Sequence, residues 1–337
     1  MSHPRILLHD RPRGQTVCRA GVPVTAEVAF SAYALYQETR MGLAVCVASA
    51  YNGLRYHHLA VDGPTFVPTT WSQDRGTWIE RIERAAQLSE QNPWASEVLD
   101  FYGYILQFQK IIYERTRLHD APTLTTKSGL REAVDLDAAE RSFPDLVVLV
   151  RAHGPAGLAE RASRLRDSPG SEIRGELERL MATTDHPQDD GSFFARILLQ
   201  PQAEWLVRAR GAQSHRVAGN LCPQCGSKPQ LAVLRPEGDG GRRMLLCSLC
   251  QTEWDYRRIL CPACGEVNHE KLPRYSAEGI PAVRVEACDT CKHYLKSVDM
   301  TVDGLAVPVV DEIATAPLDL WAVEHDYQKI QVNLMGF

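Results

Sequence analysis

Eight of the ten cysteines stand in four Cys-x-x-Cys pairs: Cys222/Cys225, Cys247/Cys250, Cys261/Cys264 and Cys288/Cys291. Such a turn sets two thiolates on one side of a tight loop, with backbone N–H groups able to point at sulfur. Two turns brought face to face surround one cation with four sulfurs, tetrahedrally, at roughly 2.3 Å for zinc. The gaps say which turns meet. Twenty-one residues separate Cys225 from Cys247 and twenty-three separate Cys264 from Cys288, but only ten separate Cys250 from Cys261. One unit therefore occurs twice, as "CPQCG" to "CSLC" and again as "CPACG" to "CDTC". Pairing in sequence order needs only short loops, whereas crossed pairings close longer ones. The expected ligand sets are Cys222, Cys225, Cys247 and Cys250 for one metal ion, and Cys261, Cys264, Cys288 and Cys291 for a second. An all-sulfur tetrahedral site suits zinc or iron. A closed four-cysteine site leaves no open position for a substrate, which speaks against hydrolytic metal catalysis.

Gly226 and Gly265 follow the first turn of each unit, where a positive φ costs glycine little. Gln251 and Lys292 hold the equivalent place in the second turns, which makes those turns less ideal. Other reactive residue types offer less. Cys18 and Cys46 stand alone and read as small buried hydrophobes. His57 and His58 are adjacent, so on a strand they point to opposite faces; they read as surface or loop residues. His269 and His293 lie near the turns and read as solvent-facing or as packing behind the ligands. Asp311, Glu312, Glu324 and Asp326 fall on an expected helix with no nucleophile beside them, and read as a solvated face. The chain has no glycine-rich phosphate loop, no nucleophile elbow and no H-E-x-x-H motif. The expectation is a protein that is not an enzyme.

Hairpins must bring the turns together. "PQLAVL" and "RRMLLC" flank the turn "RPEGDGG", and "KLPRY" and "AVRVEAC" flank "SAEGIP". Upstream, the pattern is helical. Trp78, Ile79, Ile82, Ala86 and Ser89 recur near a 3.6-residue period, and Asn92-Pro93 reads as the start of the next helix. Val98, Phe101, Tyr102, Ile105, Phe108 and Ile112 give that helix an apolar face. Further helices carry Leu158, Ala162 and Leu165, then Ile173, Leu177 and Leu180, then Phe194, Ile197 and Leu198. These predict a bundle. After residue 300 the pattern predicts a short strand, a helix near 311–326 and a tail. The expected organisation is α+β and multidomain: an unassigned segment 1–74, a helical domain 75–216, a first four-cysteine module 217–258, a second 259–300, and a strand-helix and tail 301–337.

Composition narrows the class. At 44% hydrophobic and 23% charged residues the chain is that of a folded protein. Net charge is −5, and residues 217–300 hold eleven Lys/Arg against ten Asp/Glu. A surface that tracks phosphates shows a basic excess; here the only local doublets are Arg242-Arg243 and Arg257-Arg258. A nucleic-acid-binding zinc ribbon is thus an alternative that the charge does not favour. A thiol-redox or chaperone module is another, but a redox Cys-x-x-Cys comes once, on a βαβ background. No apolar run approaches the roughly 18–20 residues of a membrane span, so membrane insertion is not expected. The start "MSHPRILLHDRPRG" lacks the apolar stretch of a secretory signal. The expected compartment is the cytoplasm, where thiols stay reduced.

The run from 222 onward resembles the formate dehydrogenase accessory protein family (FdhE). The pieces that carry the resemblance are "CPQCGSKP", "LLCSLCQTEW", "CPACG", "VRVEACDTCKHYLKSVD" and "PLDLWAVEHDY". The resemblance extends weakly through the helical part and fails over the first ~72 residues. It implies a helical N-terminal domain followed by two rubredoxin-like metal modules. It implies a cytoplasmic maturation factor that binds the catalytic subunit of a molybdenum- or tungsten-containing formate dehydrogenase and is needed for its assembly or activity. It implies that the eight cysteines are metal ligands, and it favours iron, with zinc the alternative. Thr252-Glu253-Trp254 carries over as a family mark, with packing of Trp254 as its expected role.

Overall fold

The computed structural model describes residues 6–9, 77–118, 129–168, 172–184, 190–210 and 219–337. Cys18, Cys46, His57 and His58 lie outside them. A short strand β1 (Ile6–His9) is followed by the helices α1 (Trp78–Gln91), α2 (Ser96–Thr116), α3 (Gly129–Glu132), α4 (Leu136–His153), α5 (Ala156–Asp167), α6 (Glu172–Ala182) and α7 (Asp190–Ala209). Strands β2 (Pro229–Glu237), β3 (Gly240–Cys247), β4 (Glu253–Asp255), β5 (Arg274–Ala277), β6 (Ile280–Ala287) and β7 (His293–Asp299) come next. Helices α8 (Pro308–Ala314) and α9 (Ala316–Glu324) and the two-residue strand β8 (Gln328–Lys329) close the chain.

The expected helical bundle is present, with local differences. Helix α1 buries Trp78, Arg81, Ala85 and Leu88, while Ile79 faces solvent. Its buried stripe is thus one step round from the expected one. Thr77 and Glu80 close a capping box at its start. Asn92 does not open the second helix; its N–H and side-chain amide both donate to the Leu88 carbonyl and end the first. Helix α7 carries Phe194, Ala195, Ile197, Leu198, Leu199 and Ala203 wholly buried. A helix buried on nearly every side belongs at the centre of a bundle, and α7, which also buries Arg196, Gln200, Gln202 and Glu204, runs through Pro201 without ending there.

Both expected hairpins form. Each turn is tighter than its sequence suggested: Glu237 pairs with Gly240, and Ala277 with Ile280, so each loop is two residues long. Gly238 and Gly279 supply the positive φ that such loops need (55° and 84°). The two hairpins are joined edge to edge through β7. β2 runs parallel to β7, from Leu231↔Lys296 to Leu234↔Asp299. One sheet results, in the order β1-β5-β6-β7-β2-β3-β4, with β8 also on β7. The expected strand after residue 300 is absent; a turn leads directly into α8, and the single helix expected at 311–326 is two short ones.

The larger hydrophobic core runs from α1 to Phe337 and includes Cys222, Cys225, Cys247 and Cys250. A smaller core, with Val283, Val285, Tyr294, Val298 and Leu318, lies between β6, β7 and α9.

Candidate metal centres

All eight predicted cysteines are brought together, in sequence-order pairs. Cys222, Cys225, Cys247 and Cys250 form one cluster, and Cys261, Cys264, Cys288 and Cys291 the other; within each, all four sulfurs lie within 4.8 Å of one another. Cys222–Cys250 and Cys225–Cys247 are 3.5 and 3.4 Å apart, and Cys261–Cys291 and Cys264–Cys288 are 3.8 and 3.7 Å apart. A disulfide needs about 2.05 Å, and all eight are free thiols. Four sulfurs 2.3 Å from one ion stand roughly 3.8 Å apart. The donor set and its spacing therefore fit a tetrahedral cation.

The backbone explains why the turns present their sulfurs. In each, the first cysteine N–H donates to the carbonyl five residues on: Cys222 to Ser227, Cys247 to Thr252, Cys261 to Glu266 and Cys288 to His293, all at 2.9 Å. The return bond comes from Gly226, Gly265 and Lys292 to the carbonyls of Cys222, Cys261 and Cys288. The chain can close this way only with a left-handed residue after the second cysteine. Gly226 and Gly265 have φ of 74° and 80°, and Gln251 and Lys292 adopt 57° and 58° despite their side chains. Amide N–H groups then reach sulfur: Gln224 to Cys222 at 3.4 Å, Leu249 to Cys247 at 3.3 Å and Ala263 to Cys261 at 3.4 Å.

The two clusters differ in their surroundings. The first is buried throughout, whereas in the second Cys264 is exposed and Cys291 partly so. Burial pushes the Cys247 and Cys250 thiols well up, while hydrogen bonds with Cys222 and Cys247 hold Cys225 well down. Four buried thiolates do not coexist unaided; a bound cation deprotonates its thiol ligands. In the second cluster burial raises Cys261 to about 11.

Residues outside the cysteine pattern hold these turns, and sequence reasoning missed most of them. Arg131 on α3 is the main one. Its guanidinium donates to the Cys225 carbonyl at 2.6 Å and the Ser227 hydroxyl at 2.7 Å, and also to the Leu180 and Met181 carbonyls at 3.0 and 2.8 Å. One side chain thus caps the end of α6 and grips the first knuckle. Gln200 on α7 donates to the Ser248 carbonyl at 2.8 Å, inside the second turn. Thr252-Glu253-Trp254 acquires roles. The Thr252 hydroxyl lies 3.1 Å from Cys250 sulfur, Glu253 pairs with Arg235, and Trp254 is buried with its indole N–H on the Gly219 carbonyl at 3.0 Å. His293 bonds the Cys291 carbonyl through Nδ1 and His269 is exposed; neither joins a cluster.

Asp311 and Glu312 are not on a solvated face. Asp311 is buried and takes the Arg84 guanidinium. Glu312 is fully buried between Lys329 and Lys296. Glu324 and Asp326 are exposed, as expected. No helix among the described residues is long and apolar enough to cross a membrane.

Comparison with known proteins gives the same picture. Residues 221–258 match the family model "FdhE, central domain" and residues 246–335 match "FdhE, C-terminal domain". The protein FdhE homolog of Aquifex aeolicus is 30% identical, with 76% of this chain and 94% of the relative covered. That of Pseudomonas aeruginosa is 34% identical, covering 80% and 92%. The crystal structure of the FdhE protein from Pseudomonas aeruginosa superposes with a TM-score of 0.56 over 78% of this chain and 96% of that one, at 24% identity, which shows a shared fold. A chain that covers such relatives almost from end to end, with both four-sulfur clusters in place, belongs to the formate dehydrogenase accessory protein family, FdhE.

Proposed function

We propose that this protein is a maturation factor that binds the catalytic subunit of a molybdenum- or tungsten-containing formate dehydrogenase and is needed for that enzyme's assembly or activity. In this reading Cys222, Cys225, Cys247 and Cys250 ligate one metal ion and Cys261, Cys264, Cys288 and Cys291 a second. The observation that carries it is the pair of four-sulfur clusters in a chain of this family. Each cluster is closed by four protein ligands, so the metal braces the surface around it rather than acting on a substrate. Iron is the favoured ion, with zinc the alternative, and iron would add a change of valence that zinc lacks. The protein acts in the cytoplasm and is not itself an enzyme.

The test is affinity capture. The tagged protein serves as bait in a lysate of its own organism grown with formate and molybdate, beside a Cys261→Ser/Cys264→Ser variant. The expected result is recovery of a formate dehydrogenase catalytic subunit by the intact protein and its loss with the variant. Recovery of nucleic acid or of many unfolded clients would sink the reading. Metal analysis and the visible spectrum of the purified protein decide iron against zinc.

A further inference from the structure

The arginine doublets Arg242-Arg243 and Arg257-Arg258 take no part in the metal reading. Arg242 is occupied by Asp255. Arg243 and Arg258 lead to a second site. A small cleft opens between β3, the segment after β4, the β5–β6 hairpin and the start of β7, and Arg243, Arg258, Arg274, Glu286 and His293 line it with Cys261 and Cys288. Arg243 and Arg258 come from the first cysteine unit and Arg274 from the second, so the cleft spans their junction.

Among the described residues the charges there do not balance, and Glu286 is the one carboxylate in the wall. Arg243 takes it through Nε and a terminal nitrogen, at 3.0 and 2.7 Å, and Arg284 also lies 3.6 Å from it. Arg274 stands opposite Glu286 in strand register. Among the described residues its only hydrogen-bond partner is the Arg258 carbonyl at 3.3 Å, and no carboxylate lies within ion-pair distance. Arg258 is exposed at the mouth and donates one terminal nitrogen to the Gly241 carbonyl. Burial lowers the Arg274 pKa, and Arg284, Arg243 and Arg258 lower it further against the pull of Glu286. Guanidinium groups gathered in a concave site at this cost concentrate a positive field there. Their planar forks match carboxylate and phosphate oxygens. Leu260, Leu272 and Ile330 complete the wall and suit the carbon part of such a group.

We propose that this cleft binds an oxyanion, a carboxylate or a phosphate, with Arg274 and Arg258 as its donors. The anion supplies a countercharge that no described carboxylate provides to Arg274 within ion-pair distance, and it ties the first cysteine unit to the second beside Cys261. It arrives either as a free ion or on an acidic side chain of a partner. The proposed donors are the two guanidinium groups and not sulfur, although Cys261 and Cys288 of the second cluster line the cleft.

The experiment titrates the metal-loaded full chain with inorganic phosphate and, separately, with an acetylated tetraglutamate peptide. Ionic strength is held constant with sodium chloride, and arginine side-chain NMR signals report binding. Saturable binding of at least one probe is expected, weakened at least fivefold by Arg274→Gln and by Arg258→Gln. Arg274→Gln is also expected to leave Tm unchanged or raised, because it removes a repelled charge. Saturation by phosphate alone assigns a free anion, and saturation by the peptide assigns an acidic side chain. A response no different from sodium chloride overturns the proposal. So does binding that survives both substitutions, or an Arg274→Gln variant whose only change is a lowered Tm.

Discussion

Each sulfur cluster depends on one residue per turn that holds a left-handed backbone. Where that residue is glycine the cost is small; where it is Gln251 or Lys292 the chain bears the penalty of an L side chain at positive φ, about 1 kcal/mol each. Lys292 recovers part of this through Asp289 at 3.1 Å and the Tyr327 ring, but the ion pair is half-exposed and weak. Lys292→Gly is therefore expected to stabilise the protein by about 0.5–1 kcal/mol in chemical denaturation. Gly265→Ala is expected to cost about 1–2 kcal/mol. A Cβ there meets nothing within 4 Å, so the loss is purely conformational. A gain of stability from Gly265→Ala would contradict the backbone argument. Exposure separates the two centres at the same scale. With Cys264 in solvent and the first cluster wholly buried, a chelator added to metal-loaded protein should remove one equivalent fast and the other at least tenfold more slowly. Cys264→Ser should abolish the fast phase alone.

At the scale of elements, the first knuckle is mounted on the helical bundle by charge-assisted hydrogen bonds. Arg131 satisfies three carbonyls and one hydroxyl, drawn from the end of α6 and from the first turn. Removing it leaves partly buried acceptors without their donor, at about 1–3 kcal/mol for a lost bond to a charged group. Arg131→Ala is expected to lower stability by about 2–4 kcal/mol and to speed metal loss from the first centre only. Equal loss from both centres would show that the clamp does not act locally. A lysine in its place should restore little, since one ammonium cannot reproduce the fork.

At the scale of the whole molecule, a buried quartet ties the sheet to the C-terminal helices. Lys296 on β7 lies 2.5 Å from Asp319 on α9 and 3.7 Å from Glu312 on α8. Lys329 on β8 lies 2.9 Å from Asp319 and also meets Glu312. Tyr294 and Gln230 donate to the two carboxylates at 2.9 and 3.1 Å. Two positive and two negative charges cancel, and deleting one leaves a buried charge uncompensated, at about 3–5 kcal/mol. Glu312→Ala is expected to cost that much in urea unfolding. The quartet also predicts acid sensitivity. Burial raises the Asp319 pKa, but Lys296 and Lys329 outweigh it and hold the carboxyl below its usual value. A carboxylate with a depressed folded pKa contributes its full stability above the ordinary value and loses it as pH falls through the folded one. Stability should therefore drop below about pH 4, and less steeply in Asp319→Asn, as followed by circular dichroism against pH.

The four-cysteine frame was legible in the sequence because it is local. A Cys-x-x-Cys turn fixes its own sulfur geometry, a hairpin of some twenty residues returns the chain to it, and both clusters assembled in the expected pairing. The bundle was legible through its apolar period, though Ile79 and Asn92 show that phase and boundaries were not. What only the tertiary structure decided lies between distant residues. The parallel pairing of β2 with β7 joins segments far apart in the chain and makes one sheet of two hairpins. Asp311 and Glu312 read as solvated because a carboxylate on a helix is usually exposed, and their burial is intelligible only once Arg84, Lys296 and Lys329 are in place. Local pattern reports what a residue prefers in isolation. Whether a charge can be buried depends on a partner that the chain supplies from elsewhere.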